Sequence, residues 1–154
     1  MTLRTVLRLM WDCMMDDTRG QAAVSVRIPQ TIEKKFPGAD VLISLAGELG
    51  ESPDVYDLDS GEVLDPLGNA VELAKVLAVF VQNNTAEGDI TLGGANDVPL
   101  STGAITIPPG AIHLSINEAG FAVTADTGDK LTVSGAAGST YDLILIGQAP
   151  VPEE

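Results

Sequence analysis

The chain has 154 residues with 16 Gly, 9 Pro, one Cys, one His and few aromatics, and a formal net charge of −14. Its length supports one domain with a real core, a lone Cys13 excludes an internal disulfide, and a single His excludes a two-His oxygenase centre. Residues 1–35 hold six of the eight Lys and Arg against four acids, leaving residues 36–154 with two Lys against eighteen acids, a net −16 that repels phosphate backbones and disfavours direct nucleic-acid binding.

Leu3, Val6, Leu7, Met10, Trp11 and Met14 recur at helical spacing, with Arg4, Arg8 and Asp12 mostly off that face. A short amphipathic N-terminal helix, or an arm, is predicted. A helix this short is marginal alone, so its face must pack either on its own domain or on another subunit. Arg8 and Asp12 interrupt the apolar run and no small-x-small cleavage site follows, so the segment is expected to stay in the mature chain. Cys13, beside Met and Trp, reads as a small apolar residue and not as a nucleophile. Asp16-Asp17-Thr18-Arg19-Gly20 reads as a loop. Val24, Val26 and Ile28 alternate with Ser25 and Arg27 as a first strand, ended by Pro29.

Phe36-Pro37-Gly38-Ala39-Asp40 has turn chemistry, and Val41-Leu42-Ile43-Ser44-Leu45 is a further strand. Between Gly47 and Gly68 lie Glu48, Glu51, Asp54, Asp57, Asp59, Glu62 and Asp65, broken by Pro53, Gly61 and Pro66. A calcium loop counted from Asp57 has Asp59 at its third place, but Gly61 falls at the fifth and Glu62 at the sixth, where glycine is required. The stretch therefore reads as a solvated acidic loop with no metal.

Val71 to Val81 reads as a strand in preference to a helix, because its apolar run ends in Val79-Phe80-Val81 and stops at Gln82-Asn83-Asn84. Ile90-Thr91-Leu92, Ala104 to Ile107, Ala111 to Ile116, Phe121 to Thr124, Lys130 to Val133 and Tyr141 to Ile146 complete the predicted strands. Pro108-Pro109-Gly110 forces a turn between two of them. Gly93-Gly94 lacks the Lys and following helix of a phosphate loop. His113 alternates with Ser115 and Asn117 against Ile112, Leu114 and Ile116, which puts it on the polar face as a surface histidine. No run approaches the ~18 apolar residues that span a bilayer, so no membrane contact is expected.

The ordered set Asp65-Pro66-Leu67-Gly68-Asn69-Ala70-Val71, Gln82-Asn83-Asn84, Leu92-Gly93-Gly94-Ala95 and Ile107-Pro108-Pro109-Gly110 resembles small structural proteins of tailed bacteriophages. Gly120 to Ala125, Thr127 to Leu131 and Tyr141 to Gly147 continue the likeness, which covers residues 58–147 and leaves the basic N-terminal segment outside it. The resemblance implies a virion-located, jelly-roll-like antiparallel β-sandwich of the capsid decoration or cement kind. It also implies no catalytic residue; the single His and the lack of any set of nucleophile, base and orienting group add the expectation of no catalytic metal and no cofactor. The expected partners are the major capsid protein or other virion proteins, with the chain itself a homo-oligomer, a trimer for preference.

The expected organisation is an N-terminal arm and first strand over residues 1–35, an all-β sandwich over 36–148 and a short acidic tail over 149–154. Charge and apolar anchors single out Arg4, Leu7, Arg8, Met10, Trp11 and Met14 as partner-binding residues. The alternative is a tail or host-surface-binding jelly-roll module. Carbohydrate sites stack sugars on aromatics, however, and only Trp11, Tyr56, Tyr141 and three Phe are present.

Overall fold

The structure is a computed structural model that describes residues 6–17, 24–36, 38–100 and 103–151, with residues 6–35 described by their backbone alone. Arg4, the predicted loop residues Thr18-Arg19-Gly20 and the tail residues 152–154 lie outside the described residues. Among the described residues every element is a β-strand, and the chain divides into two units, Arg4–Pro37 and Gly38–Glu154, the latter grouped with Met1–Leu3.

The first unit is a two-stranded antiparallel ribbon of β1 (Val6–Asp17) and β2 (Val24–Lys35). This corrects the expected N-terminal helix. Leu7, Leu9, Trp11, Cys13 and Met15 also recur at period two, and the register sets Leu9 opposite Ile32, Cys13 opposite Ile28 and Met15 opposite Val26. Strand pairing therefore collects more apolar positions on one face than a helix over the same residues does. Nor does Pro29 end its strand: β2 runs through it, opposite Asp12. In a two-stranded ribbon each strand has an unpaired edge, where a missing N–H costs no ladder bond.

The second unit is a sandwich of two four-stranded antiparallel sheets. Its long strands are β3 (Val41–Glu48), β4 (Asp54–Asp57), β7 (Lys75–Asn83), β8 (Ile90–Leu92), β9 (Ile105–Ile107), β10 (Ile112–Ala122), β11 (Lys130–Gly135) and β12 (Thr140–Gln148). A small hairpin of β5 (Val63–Leu64) and β6 (Ala70–Val71) interrupts them. One sheet has the order β10-β7-β12-β3 and the other β4-β11-β8-β9. Apart from the β5–β6 hairpin, every connection after β3 crosses between the sheets save β8 to β9. Two predicted strands, 111–116 and 121–124, are one strand, β10, with an irregularity between Ile116 and Phe121. The acidic stretch is not all loop, since Asp54 to Asp57 pairs with β11 and Val63-Leu64 with β6.

Alternate residues of each sheet point between the layers. Ile43, Val79, Val81, Leu143 and Leu145 meet Ile90, Leu92, Ile107, Leu131 and Val133 there, all 2% exposed or less. Each such side chain is worth roughly 1.5–3 kcal/mol relative to exposure, so this layer dominates the fold's stability.

Two polar ties join the sheets across it. Asn83, at the end of β7, is fully buried and fully satisfied. Its Nδ2 donates to the carbonyls of Gly88 (3.0 Å) and Ile107 (2.9 Å), and its Oδ1 accepts from the Thr85 N–H (2.9 Å). Its backbone accepts from Gly110 N–H (2.9 Å), so one residue clamps β7, the 84–89 loop and the Pro108-Pro109-Gly110 turn. Gly110 takes a φ of 70°, which the tight turn requires and which a Cβ would penalise. At the other end, Tyr141 on β12 donates its hydroxyl to Asp54 Oδ2 of β4 (2.6 Å) and shares a 2.5 Å hydrogen bond with Tyr56.

Candidate interaction surface

Register decides which residues face away from the core. Across β10, β7, β12 and β3 one row reads Leu114, Phe80, Ile144 and Ser44, and the next reads Ile116, Ala78, Ile146 and Leu42. A third row reads Ile112, Gln82, Asp142 and Ala46. These rows carry none of the inward-facing core residues, yet most of their positions are apolar. Antiparallel sandwich strands ordinarily alternate apolar inward with polar outward. Here β7 and β12 are apolar on both faces.

Ala78 and Ile146, in the middle of the face, are buried, while Leu42, Phe80, Leu114 and Ile144 are half-buried. At the β10 edge Ile112 is 55% exposed and Ile116 39% exposed. Large apolar side chains standing this far out along one edge, on a body of net −16, make this face the candidate contact surface.

His113 is not on the polar outer face expected for it. It pairs with Val81 and Ser115 with Val79, so both lie on the core-facing side of β10, and it is Ile112, Leu114 and Ile116 that face outward. The strand is inverted relative to the sequence reading because its polar side lies along a sheet edge, where half-burial is tolerated and a partner is close. His113 Nε2 and Ser115 Oγ are 2.7 Å apart, and partial burial pushes the imidazole below its ordinary 6.5. A Ser–His pair becomes a nucleophile and base only with a third group orienting the ring and donors for the oxyanion. Neighbours two residues apart on one strand provide neither.

The six residues singled out from sequence are not brought together as one helical face. Leu7 and Trp11 share one face of the ribbon, opposite Lys34 and Gln30. Arg8, Met10 and Met14 share the other, opposite Glu33, Thr31 and Arg27. The outward Ile112 and Ile116 were missed, although their alternation with His113 and Ser115 was visible. What was missing was the direction of the alternation, which only the pairing with Val79 and Val81 supplies.

Among the described residues one group of side chains has metal-ligand spacing, Asp57, Asp59 and Asp129. No helix among the described residues is long and apolar enough to cross a membrane. Comparison with known proteins adds no family: no family model, no curated protein and no solved structure matches the chain.

Proposed function

We propose that the protein is a non-catalytic structural subunit of a tailed-phage virion, a jelly-roll capsid decoration or cement protein that stabilises the head by binding capsid subunits. The strand order supports the jelly-roll reading. Counting the eight long strands in sequence, one sheet holds the first, eighth, third and sixth and the other the second, seventh, fourth and fifth, as in two interleaved Greek keys.

The observation that carries the functional reading is the apolar outer face of the β10-β7-β12-β3 sheet. Burying an exposed isoleucine is worth up to about 1.5–3 kcal/mol, and an assembly repeats that gain at every copy. That face is where a second copy of the chain packs, in a homotrimer. The ribbon meets the capsid. Its segment carries six cations against four acids beside an acidic body, and its register gathers Leu7, Leu9, Trp11, Cys13 and Met15 on one face.

The test is sedimentation velocity on the full chain at high micromolar concentration, together with co-sedimentation with heads assembled from the major capsid protein. A trimer that pellets with heads is expected, and the double variant Ile112→Asp/Ile116→Asp is expected to remain folded as a monomer. A wild-type protein that stays monomeric and fails to bind heads refutes the proposal.

A further inference from the structure

Leu58 is buried at the exit of β4 and is fixed from both sides, its N–H donating to the Asp129 carbonyl (2.7 Å) and its carbonyl accepting from the Leu73 N–H (2.7 Å). Asp57 and Asp59, which flank the buried Leu58 at the bend that ends β4, are both half-buried. The bond from the Leu58 N–H brings them against Asp129, from the Asp126-Thr127-Gly128 turn before β11. One carboxylate oxygen from each of the three lies within 4.8 Å of the others.

Proximity of acids alone says little, because solvated carboxylates cluster on many acidic surfaces. Asp129 is different. It is 5% exposed, its Oδ2 accepts from the Asp126 N–H at 2.8 Å, and its Oδ1 is buried with no hydrogen-bond partner. A buried carboxylate oxygen without a donor carries its full desolvation cost, and native proteins rarely leave one unmatched. Two further carboxylates lie within 4.8 Å of one of the Asp129 oxygens, and these have no proton to give when ionised. A cation satisfies all three at once.

We propose that Asp57, Asp59 and Asp129 hold one divalent cation of the calcium type, which takes up the unpartnered Oδ1 of the buried Asp129. The donor set is all oxygen and all anionic, as a hard cation requires. Calcium–oxygen distances of about 2.3–2.6 Å allow oxygens around one ion to lie up to roughly 5 Å apart, which accommodates the observed spacing. Asp57 and Asp59 are half-buried, so water completes the six to eight ligands on their open side.

This site is independent of the assembly reading and is not a calcium loop of contiguous residues. The failed spacing at Gly61 and Glu62 is beside the point, because the third acid comes from a distant turn. Three carboxylates without a rigid cage place the affinity in the weak range, about 0.1–1 mM.

The experiment is to strip the full-length protein with EDTA, then titrate CaCl2 at constant ionic strength, following thermal unfolding and the heat of binding. The expected result is a saturable heat of binding of one calcium per chain and a rise in melting temperature of about 3–5 °C at ten times the dissociation constant. Asp59→Asn, a half-exposed position whose loss leaves the fold intact, should weaken binding at least about tenfold. Glu51→Gln, which removes one exposed acid elsewhere, should leave it unchanged. A heat of binding that never saturates, or an Asp59→Asn protein that binds calcium as well as wild type, overturns the site. So does equal weakening in Glu51→Gln, which reports general charge screening.

Discussion

Tyr141 of β12 occupies the space that a side chain on its directly opposite partner, Gly47 of β3, would fill. A methyl group at position 47 would lie 2.5 Å from Tyr141 Oη and 2.6 Å from its Cε1. The ring passes over the glycine to reach Asp54 and Tyr56 on the opposing sheet. Gly47 is thus required by close approach, since its φ lies outside the left-handed region. Gly47→Ala is expected to cost about 1–3 kcal/mol of stability through forced displacement of the ring. Urea unfolding measures it, and a wild-type midpoint would mean the ring has free room to move.

The same network predicts alkaline sensitivity. Burial, followed by the Asp54 and Tyr56 hydroxyl contacts, pushes Tyr141 far up, and burial raises Tyr56 as well, both from an ordinary 10.0. The unfolded chain then loses phenolic protons at lower pH than the folded one, so stability is intact below pH 10 and declines as pH climbs above it. Tyr56 and Tyr141 are the two tyrosines of the chain, so tyrosinate absorbance near 295 nm reports them cleanly. It is expected to appear together with unfolding and not as a separate step beforehand. Tyrosinate formed in a still-folded protein near pH 10 would contradict the cross-sheet contact.

Asn83 offers the sharpest stability test. Asn83→Ala strands the carbonyls of Gly88 and Ile107 and the N–H of Thr85, and removes a fully buried side chain. A loss of about 2–4 kcal/mol is expected from the unsatisfied groups and the small void. Asn83→Asp should be at least as damaging, because a carboxylate cannot donate to either carbonyl. Chemical denaturation of both variants checks this.

Removing residues 1–37 deletes the ribbon and leaves the Gly38–Glu154 unit with its own core. The expected outcome is a cooperative melt with attachment to heads lost. Retained attachment would move the capsid contact to the sandwich, and loss of the cooperative melt would assign the ribbon a structural role in place of a binding one.

Much of the sandwich was legible in the sequence, because β7 and β12 are β-branched apolar runs of strand length ended by turn residues, a pattern with few other solutions. The ribbon was not. Leu7, Met10, Trp11 and Met14 satisfy period 3.6 while Leu7, Leu9, Trp11, Cys13 and Met15 satisfy period two, and the choice depends on Val26, Ile28 and Ile32 arriving opposite. The direction of β10 was hidden for a similar reason, since alternation marks two faces without saying which one is buried. Asp54 to Asp57 read as loop because two of its four residues are charged, which an edge strand tolerates. The approach of Asp129 to Asp57 and Asp59 is a product of tertiary pairing between β4 and β11, and no local spacing encodes it.

β12 lies between β7 and β3, and β3 has no other neighbour in its sheet. During translation, residues 41–83 leave the ribosome well before residues 140–148, at about 5–20 residues per second. For those seconds β3 and β7 are two apolar strands whose shared partner does not yet exist, each with edges open to other chains. β10 can pair with β7 as soon as it is made, but β3 cannot join the sheet before β12. Folding of this sheet waits for β12 to insert, so the nascent chain is most exposed to misassociation until residues 140–148 have emerged.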